Sequence, residues 1–331
     1  MMQHVLVCLD CSELSKQVIP YAVSLARGFG AKITVLHVLE KPSLDSSMPM
    51  DCFEWEMQKN EAKRYLKSIK DEIGDDVLVT TEIMEGRPAD QINFWINTHN
   101  VDLTVVCSHG SSGQSQWLLA STTQKLIAGT QSAILLIPAK ALEKREGYDN
   151  HSTVLFRRLL VPLDGSSWAE SALPFAINIA NYQHCDVVLA HVIPEPGITH
   201  IEPINSEGLT LEQHIHDYNW SVASHYLHKI ESRLKSTSDI SVDTSLISNS
   251  GVSHELIKII DAQSIDIVVM SAHGNSSDTE QFCGKVALEF LEHCPIPVML
   301  LRGQLSHREM PFKSNDSWFE PKSRLPPQAV V

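Results

Sequence analysis

The chain has no apolar run of the 18 or so residues a membrane-spanning helix needs. Its first ten residues carry no basic stretch, and their apolar run stops at Leu9, too short for the core of an export signal. Both absences imply a cytoplasmic location. Basic residues are scarce: 26 Lys and Arg against 40 Asp and Glu, a formal net charge of −14. Such a surface repels a phosphate backbone and an anionic bilayer, so neither nucleic acid nor membrane is expected as a partner. Cysteines number seven, odd and irregularly spaced, which fits no disulfide framework. The one C-x-x-C, Cys8 to Cys11, begins inside an apolar strand pattern and has no second copy.

Catalytic signatures are missing as well. The chain lacks a G-x-S-x-G elbow, a G-x-x-x-x-G-K-[ST] loop and a G-x-G-x-x-G after its first strand. No nucleophile comes with a visible base. The residues suit binding rather than turnover, with slow ATP hydrolysis as the alternative. Metal binding is a weak reading: His225 and His228 share a helix face but offer two ligands, where a structural zinc takes four.

What is present is a duplication. HVLVCLD-CS near the start returns as RLLVPLD-GS, and AKITVLHVLE returns as CDVVLAHVIPE. Asp10 matches Asp164, and His37-Val38 matches His191-Val192, each pair 154 residues apart. VDLTVVCSHG then matches IDIVVMSAHG at a spacing of 164, so the second copy carries extra residues, expected in the Ile193–Thr210 connection. The period is too long for a solenoid and means two whole domains.

Each copy alternates strand and helix. Val5–Leu9 is apolar at every position, as in a parallel strand buried on both faces. Ser12 caps a helix carrying Leu14, Val18, Ala22 and Leu25 on one face, ended by Gly28 and Gly30. Ile33–Leu39, Val77–Met84, Leu103–Cys107 and Ala133–Ile137 read as the further strands; Trp55, Ala62, Leu66, Ile69 and Ile73 mark a second helix, and Pro88 opens a third. In copy two, Ser167 and Glu170 form a capping box before Leu173, and a long helix runs through Leu211 to Leu234. The fold expected is α/β: two tandem doubly wound domains, each a mainly parallel five-stranded sheet with helices on both faces. Boundaries fall at 1–139 and 157–303, with a linker at 140–156 and a polar, proline-containing tail at 304–331.

Open α/β sheets bind ligands beyond the carboxyl ends of their strands. There, Asp10 and Asp164 end the first strands, and Val38 and Val192 stand near the ends of the second. Ser108-His109-Gly110-Ser111-Ser112-Gly113 leaves the fourth strand and leads to Ala120-Ser121 at a helix start, an arrangement suited to phosphate. At these residues the chain resembles the universal stress protein family, over 3–139 and 157–302. In that family's ATP-binding members the loop reads G-x-x-G, nine residues, then G-[ST]. The resemblance implies that Asp10 and Val38 hold adenosine, and that Ser108, His109, Gly110, Gly113, Ala120 and Ser121 line ribose and phosphates. In copy two it implies the same for Asp164, Val192, His273, Gly274, Gly284 and Lys285.

The match is incomplete: Cys107 and Ala120 replace glycines in copy one, and Ser271 and Lys285 depart from the pattern in copy two. A Cβ where the backbone must approach a ligand closely obstructs it. Asp278 and Glu280 in the second loop oppose a triphosphate. Copy one is therefore the favoured site for ATP or a related adenine nucleotide with Mg²⁺. Asp10 and Asp164 also suit Asx turns at strand ends. The resemblance further implies a regulatory or protective role in stress response, with unidentified protein partners. It implies domains paired across Ile134–Ile137 and Val298–Leu301, a homodimer of such chains being an open alternative. A ligand-free interaction module with degenerate pockets is the competing reading.

Overall fold

The computed structural model describes residues 2–40, 52–108, 121–130, 132–143, 154–195, 206–274 and 283–302 (backbone only at 121 and 206–212). The first half contains β1 (His4–Leu9), α1 (Glu13–Lys16), α2 (Ile19–Phe29), β2 (Lys32–Leu39), α3 (Cys52–Ile73), β3 (Val79–Glu85), α4 (Pro88–His99), β4 (Leu103–Cys107), α5 (Ser121–Gly129) and β5 (Ala133–Ile137). After α6 (Ala139–Glu143) the second half repeats the order: β6 (Arg158–Pro162), α7 (Ser167–Glu170), α8 (Leu173–Gln183), β7 (Asp186–Ile193), α9 (Ser206–Thr237), β8 (Val242–Ser248), α10 (Val252–Ala262), β9 (Ile267–Ser271), α11 (Lys285–His293) and β10 (Val298–Leu301).

All ten strands form one sheet, ordered β3-β2-β1-β4-β5-β10-β9-β6-β7-β8. Every pairing within a half is parallel; the junction β5–β10 is antiparallel, with Ile134 opposite Leu300 and Leu136 opposite Val298. Joining these two strands satisfies backbone groups that each half alone would leave exposed at an edge. The apolar runs are explained by burial on both faces. Val5 and Val7 face one core with Leu135 and Met299, whereas Leu6 faces the other with Ile134 and Leu300. Both cores run through the junction.

A second junction lies on the helices. Ser24 Oγ donates to the Val154 carbonyl at 2.6 Å and accepts from Gln183 Nε2 at 2.8 Å, while Gln183 Oε1 accepts from Phe156 N at 2.6 Å. Val154 and Phe156 are buried in the core, so the end of the expected linker is packed, and 139–143 is helical.

Several local expectations are corrected. The first helix is two pieces, since Pro20 lies in the first turn of α2 and supplies no N–H to continue α1. Gly28 lies within α2 against the Tyr182 ring, and only Gly30, at φ 63°, ends it. The cap of α7 is Ser166, one residue earlier than the capping box placed it; Ser166 has the extended backbone a cap requires and accepts from Ala169 N. Strand β3 begins at Val79 rather than Val77. The extra residues of the second copy go largely into helix: α9 has 32 residues and α3 has 22. The Asp278–Glu280 loop segment and the tail from 303 onward lie outside the described residues.

Candidate functional site

In each half the strand order reverses between the first and fourth strands, β1 and β4 or β6 and β9. Connections leave to opposite sides at that point, which opens a crevice beyond the strand ends. Asp10 and Asp164 stand at its lip.

Both aspartates organise the same turn. Asp10 Oδ1 accepts from Ser12 N at 3.0 Å and Ser12 Oγ at 2.6 Å, and Ser12 Oγ in turn accepts from Ser15 N at 3.0 Å. Asp164 Oδ1 accepts from Ser166 N at 3.0 Å and Ser166 Oγ at 2.5 Å, and Ser166 Oγ accepts from Ala169 N at 3.1 Å. The Asx-turn reading therefore describes one oxygen of each carboxylate. The residue between Asp and Ser takes positive φ in both halves: Gly165 at 80° and Cys11 at 63°. A side chain in the left-handed region costs about 1–2 kcal/mol, so half one carries strain that half two avoids.

Histidine follows the second strand to this lip. His37 Nδ1 lies 2.8 Å from the Leu9 carbonyl and 3.6 Å from Cys11 Sγ. Burial first, and the Asp10 charge second, push the Cys11 thiol up to about 11, so it stays protonated at neutral pH. Burial likewise raises the Cys8 thiol, and the C-x-x-C pair has no reactive thiolate. In half two, His191 turns an edge to Tyr226, ring centres 6.2 Å apart, and Tyr226 OH donates to Glu170 Oε1 at 3.2 Å. Burial lowers the His191 imidazole from its ordinary range. Tyr65 occupies the corresponding place in half one; its buried phenol is raised, chiefly by desolvation. Val38 beside His37 is half-buried, and Val192 beside His191 is buried.

The fourth-strand loops are described unequally. Ser108 is buried; its N–H donates to the Ile137 carbonyl at 2.9 Å, and its Oγ accepts from Ala139 N at 3.1 Å. His109, Gly110, Gly113 and Ala120 lie outside the described residues, and Ser121 begins α5. The second loop returns towards Asp164. A Cβ on Gly274 would overlap Asp164 Oδ2, so only glycine permits that approach. His273 tilts against Trp168 with ring centres 5.7 Å apart. Its imidazole is lowered by burial and then by the charge of Arg302. Gly284 N donates to the Ala272 carbonyl at 2.7 Å, and Gly284 takes the extended conformation that starts α11, with exposed Lys285 as its first residue. Asp10 is exposed where Asp164 is half-buried.

Thus Asp10 and Val38, and likewise Asp164, Val192, His273 and Gly274, gather at the carboxyl ends of their strands. His37, His191, Tyr65, Tyr226, Trp168 and Arg302 also reach these lips and were not selected from sequence. The two histidines lay in the repeated pair; the aromatic residues and Arg302 come from helices and a strand end with no motif. Among the described residues, no group of three or more His, Cys, Asp or Glu could hold a metal ion, and no helix is long and apolar enough to cross a membrane.

Comparison with known proteins agrees with this architecture. A universal stress protein of Archaeoglobus fulgidus matches 90% of this chain and 96% of its own at a TM-score of 0.59 and 17% identity. A putative universal stress protein of Pseudomonas aeruginosa matches 91% and 93% at 0.60 and 10%. At such identities the likeness concerns the fold. Universal stress protein MJ0577 of Methanocaldococcus jannaschii is 25% identical over 157 residues, 45% of this chain and 97% of that protein. The model of the universal stress protein family matches residues 1–138 and again 155–302, so the chain belongs to that family and carries its domain twice.

Proposed function

We propose that this tandem universal stress protein binds ATP or a related adenine nucleotide, with Mg²⁺, mainly in its first half, and acts as a regulatory or protective binding protein. The observation that carries the reading is the placement of Asp10 at the strand-order reversal between β1 and β4. Asp10 and Val38 would hold the adenosine end. Ser121, at the start of the nine-residue α5, would meet the phosphates together with the loop from Ser108.

For half two, a ligand-free reading is favoured by a specific contact. Gly274 is packed on Asp164, so the carboxylate that would take adenosine is covered by its own loop. That half would serve as the structural mate of the first and as a surface for protein partners.

The test is the small-molecule content of the purified protein, released by denaturation and identified by mass spectrometry, beside calorimetry with ATP and Mg²⁺. Affinity of about micromolar strength is expected, reduced at least about tenfold (~1.4 kcal/mol) in Asp10→Ala and little changed in Asp164→Ala. Absence of heat at millimolar ATP would sink the nucleotide reading. Loss in Asp164→Ala alone would transfer the site to half two.

A further inference from the structure

The antiparallel junction joins β5 to β10, and the sheet then ends at β3 on one side and β8 on the other. Among the described residues, each of these strands pairs with one neighbour, β2 or β7. The outer side of such a strand is a row of backbone donors and acceptors that can take another strand.

The backbone bonds show which residues face outward. Val187 N donates to the Ser241 carbonyl at 2.8 Å, and Asn249 N donates to the Ile193 carbonyl at 3.0 Å. Residues that bond one neighbour alternate along a strand, so Asp243, Ser245 and Ile247 bond β7. Val242, Thr244, Leu246 and Ser248 turn their N–H and C=O groups to the edge. In β3, Ile33 N donates to the Leu78 carbonyl at 2.8 Å, and Gly86 N donates to the Leu39 carbonyl at 2.9 Å. There Val79, Thr81, Ile83 and Glu85 turn outward, and Glu82 sits in the middle with its backbone towards β2.

The two edges are guarded unequally. Glu82 is exposed. Antiparallel self-pairing along the whole of β3 would set Glu82 directly opposite its own copy, and like charges so placed repel. Strand β8 has no proline and no lysine, and its one charge, Asp243, accepts from Arg158 Nη2 at 2.6 Å. Leu246 packs on one core and Ile247 on the other, which holds the strand in place. Self-pairing along the whole of β8 sets Ser245 opposite Ser245. Thr244 then exchanges backbone bonds with the partner's Leu246, and Val242 with the partner's Ser248. Asp243 stands opposite the partner's Ile247, so no like charges meet.

We infer that β8 is the docking edge for a second copy of this chain, which adds antiparallel across a two-fold axis at Ser245. Such a contact is self-complementary and closes at two chains. It places the second halves at the centre of one continuous sheet and the first halves, with Asp10, at its outer ends. The inference stands on strand order and charge and does not require that either half bind nucleotide.

Sedimentation velocity of the full chain at micromolar concentration tests it, with a dimer expected. Thr244→Pro removes an N–H that faces away from its own sheet, a place where an edge strand tolerates proline. Association should weaken at least about tenfold. Thr81→Pro removes the equivalent outward N–H of β3 and should leave the dimer intact. Ser245→Lys and Ser245→Glu should each be monomeric, because like charges meet at the axis. Mixing these two variants should restore a dimer that contains one of each. A monomeric intact chain, or a dimer that survives both Thr244→Pro and Ser245→Lys, would overturn the proposal. Larger assemblies that vanish in Thr81→Pro would show β3 joining β8 head to tail and would overturn it equally. If Thr244→Pro does not fold, the mixture of the two Ser245 variants decides. Missing heat with ATP and Mg²⁺ would count against nucleotide binding and leave the sedimentation result standing.

Discussion

The two halves keep the same hydrogen-bonded skeleton and differ in what lines it. Asp10 and Asp164 hold the same serine-capped turn, with oxygen contacts of 2.6 and 2.5 Å to the serine hydroxyls. Around that turn the residues diverge: Cys11 against Gly165, Leu14 against Trp168, Pro138 against Arg302. Half one leaves its aspartate exposed and accepts a strained cysteine; half two relaxes the turn and covers its aspartate with Gly274. A duplicated fold can vary its pocket walls freely while the turn stays, because the turn satisfies the backbone N–H groups that open a helix and the walls do not. The halves are also unequal at the junction: Arg302 caps α5 from the second half, whereas the matching position after β5 is Pro138, which carries neither charge nor N–H.

The largest effect should come from breaking the Gly274–Asp164 contact of half two. Gly274→Ala places a methyl group on the Asp164 carboxylate, which Ser166 already pins. Overpacking of this kind costs about 1–3 kcal/mol. The measurement is urea unfolding, and unchanged stability would mean the loop is not held against Asp164.

A reciprocal exchange at the turn should have a smaller effect of opposite sign in the two halves. Cys11→Gly relieves a side chain at positive φ and should stabilise by about 1 kcal/mol, less whatever the Cys11–His37 contact contributes. Gly165→Ala should destabilise by about the same amount. Equal signs in the two variants would show that the turns are not equivalent.

Acid response should separate the halves least. Burial lowers His4 in half one and His191 and His273 in half two. Each is favoured neutral in the folded chain, whereas the unfolded chain takes up its proton near pH 6.5. Their contribution is therefore complete above about pH 6.5 and is lost as pH falls through the lowered folded values. His4 shows the cause: burial of its ring lowers it, and the hydrogen bond to the His99 carbonyl at 3.1 Å offsets this only in part. The urea midpoint should fall between about pH 7.5 and 5.5. The double variant His191→Phe, His273→Asn should flatten that fall more than His4→Asn; the reverse order would locate the acid-sensitive element in half one.

Much of this architecture was legible beforehand, and particular residues show why. Val5–Leu9 and Ala133–Ile137 are apolar at every position, and only a strand covered on both faces uses such a run. The break before α2 follows from Pro20, which lacks the N–H to continue α1, and the cap falls at Ser166 because that residue takes the extended backbone, a choice that Ser166 and Ser167 share equally well in sequence. Gly28 looked like a helix end and proved to be a contact, since its role is set by Tyr182, more than 150 residues away.

By itself the sequence determined the duplication, the α/β class and the place of Asp10, Val38, Asp164 and Val192 at the strand ends, whereas the pairing of the last strands was implied by the family resemblance. Repetition and period are properties of residue order, and buried parallel strands impose them directly. Only the tertiary structure decided that Asp164 is half-buried while Asp10 is exposed, that Tyr226 meets His191, and that Arg302 caps α5 from the other half. Those contacts join residues far apart along the chain, and no local pattern selects them. They follow from where the sheet order brings strand ends and helix ends together, which is settled only when the whole ten-stranded sheet has formed.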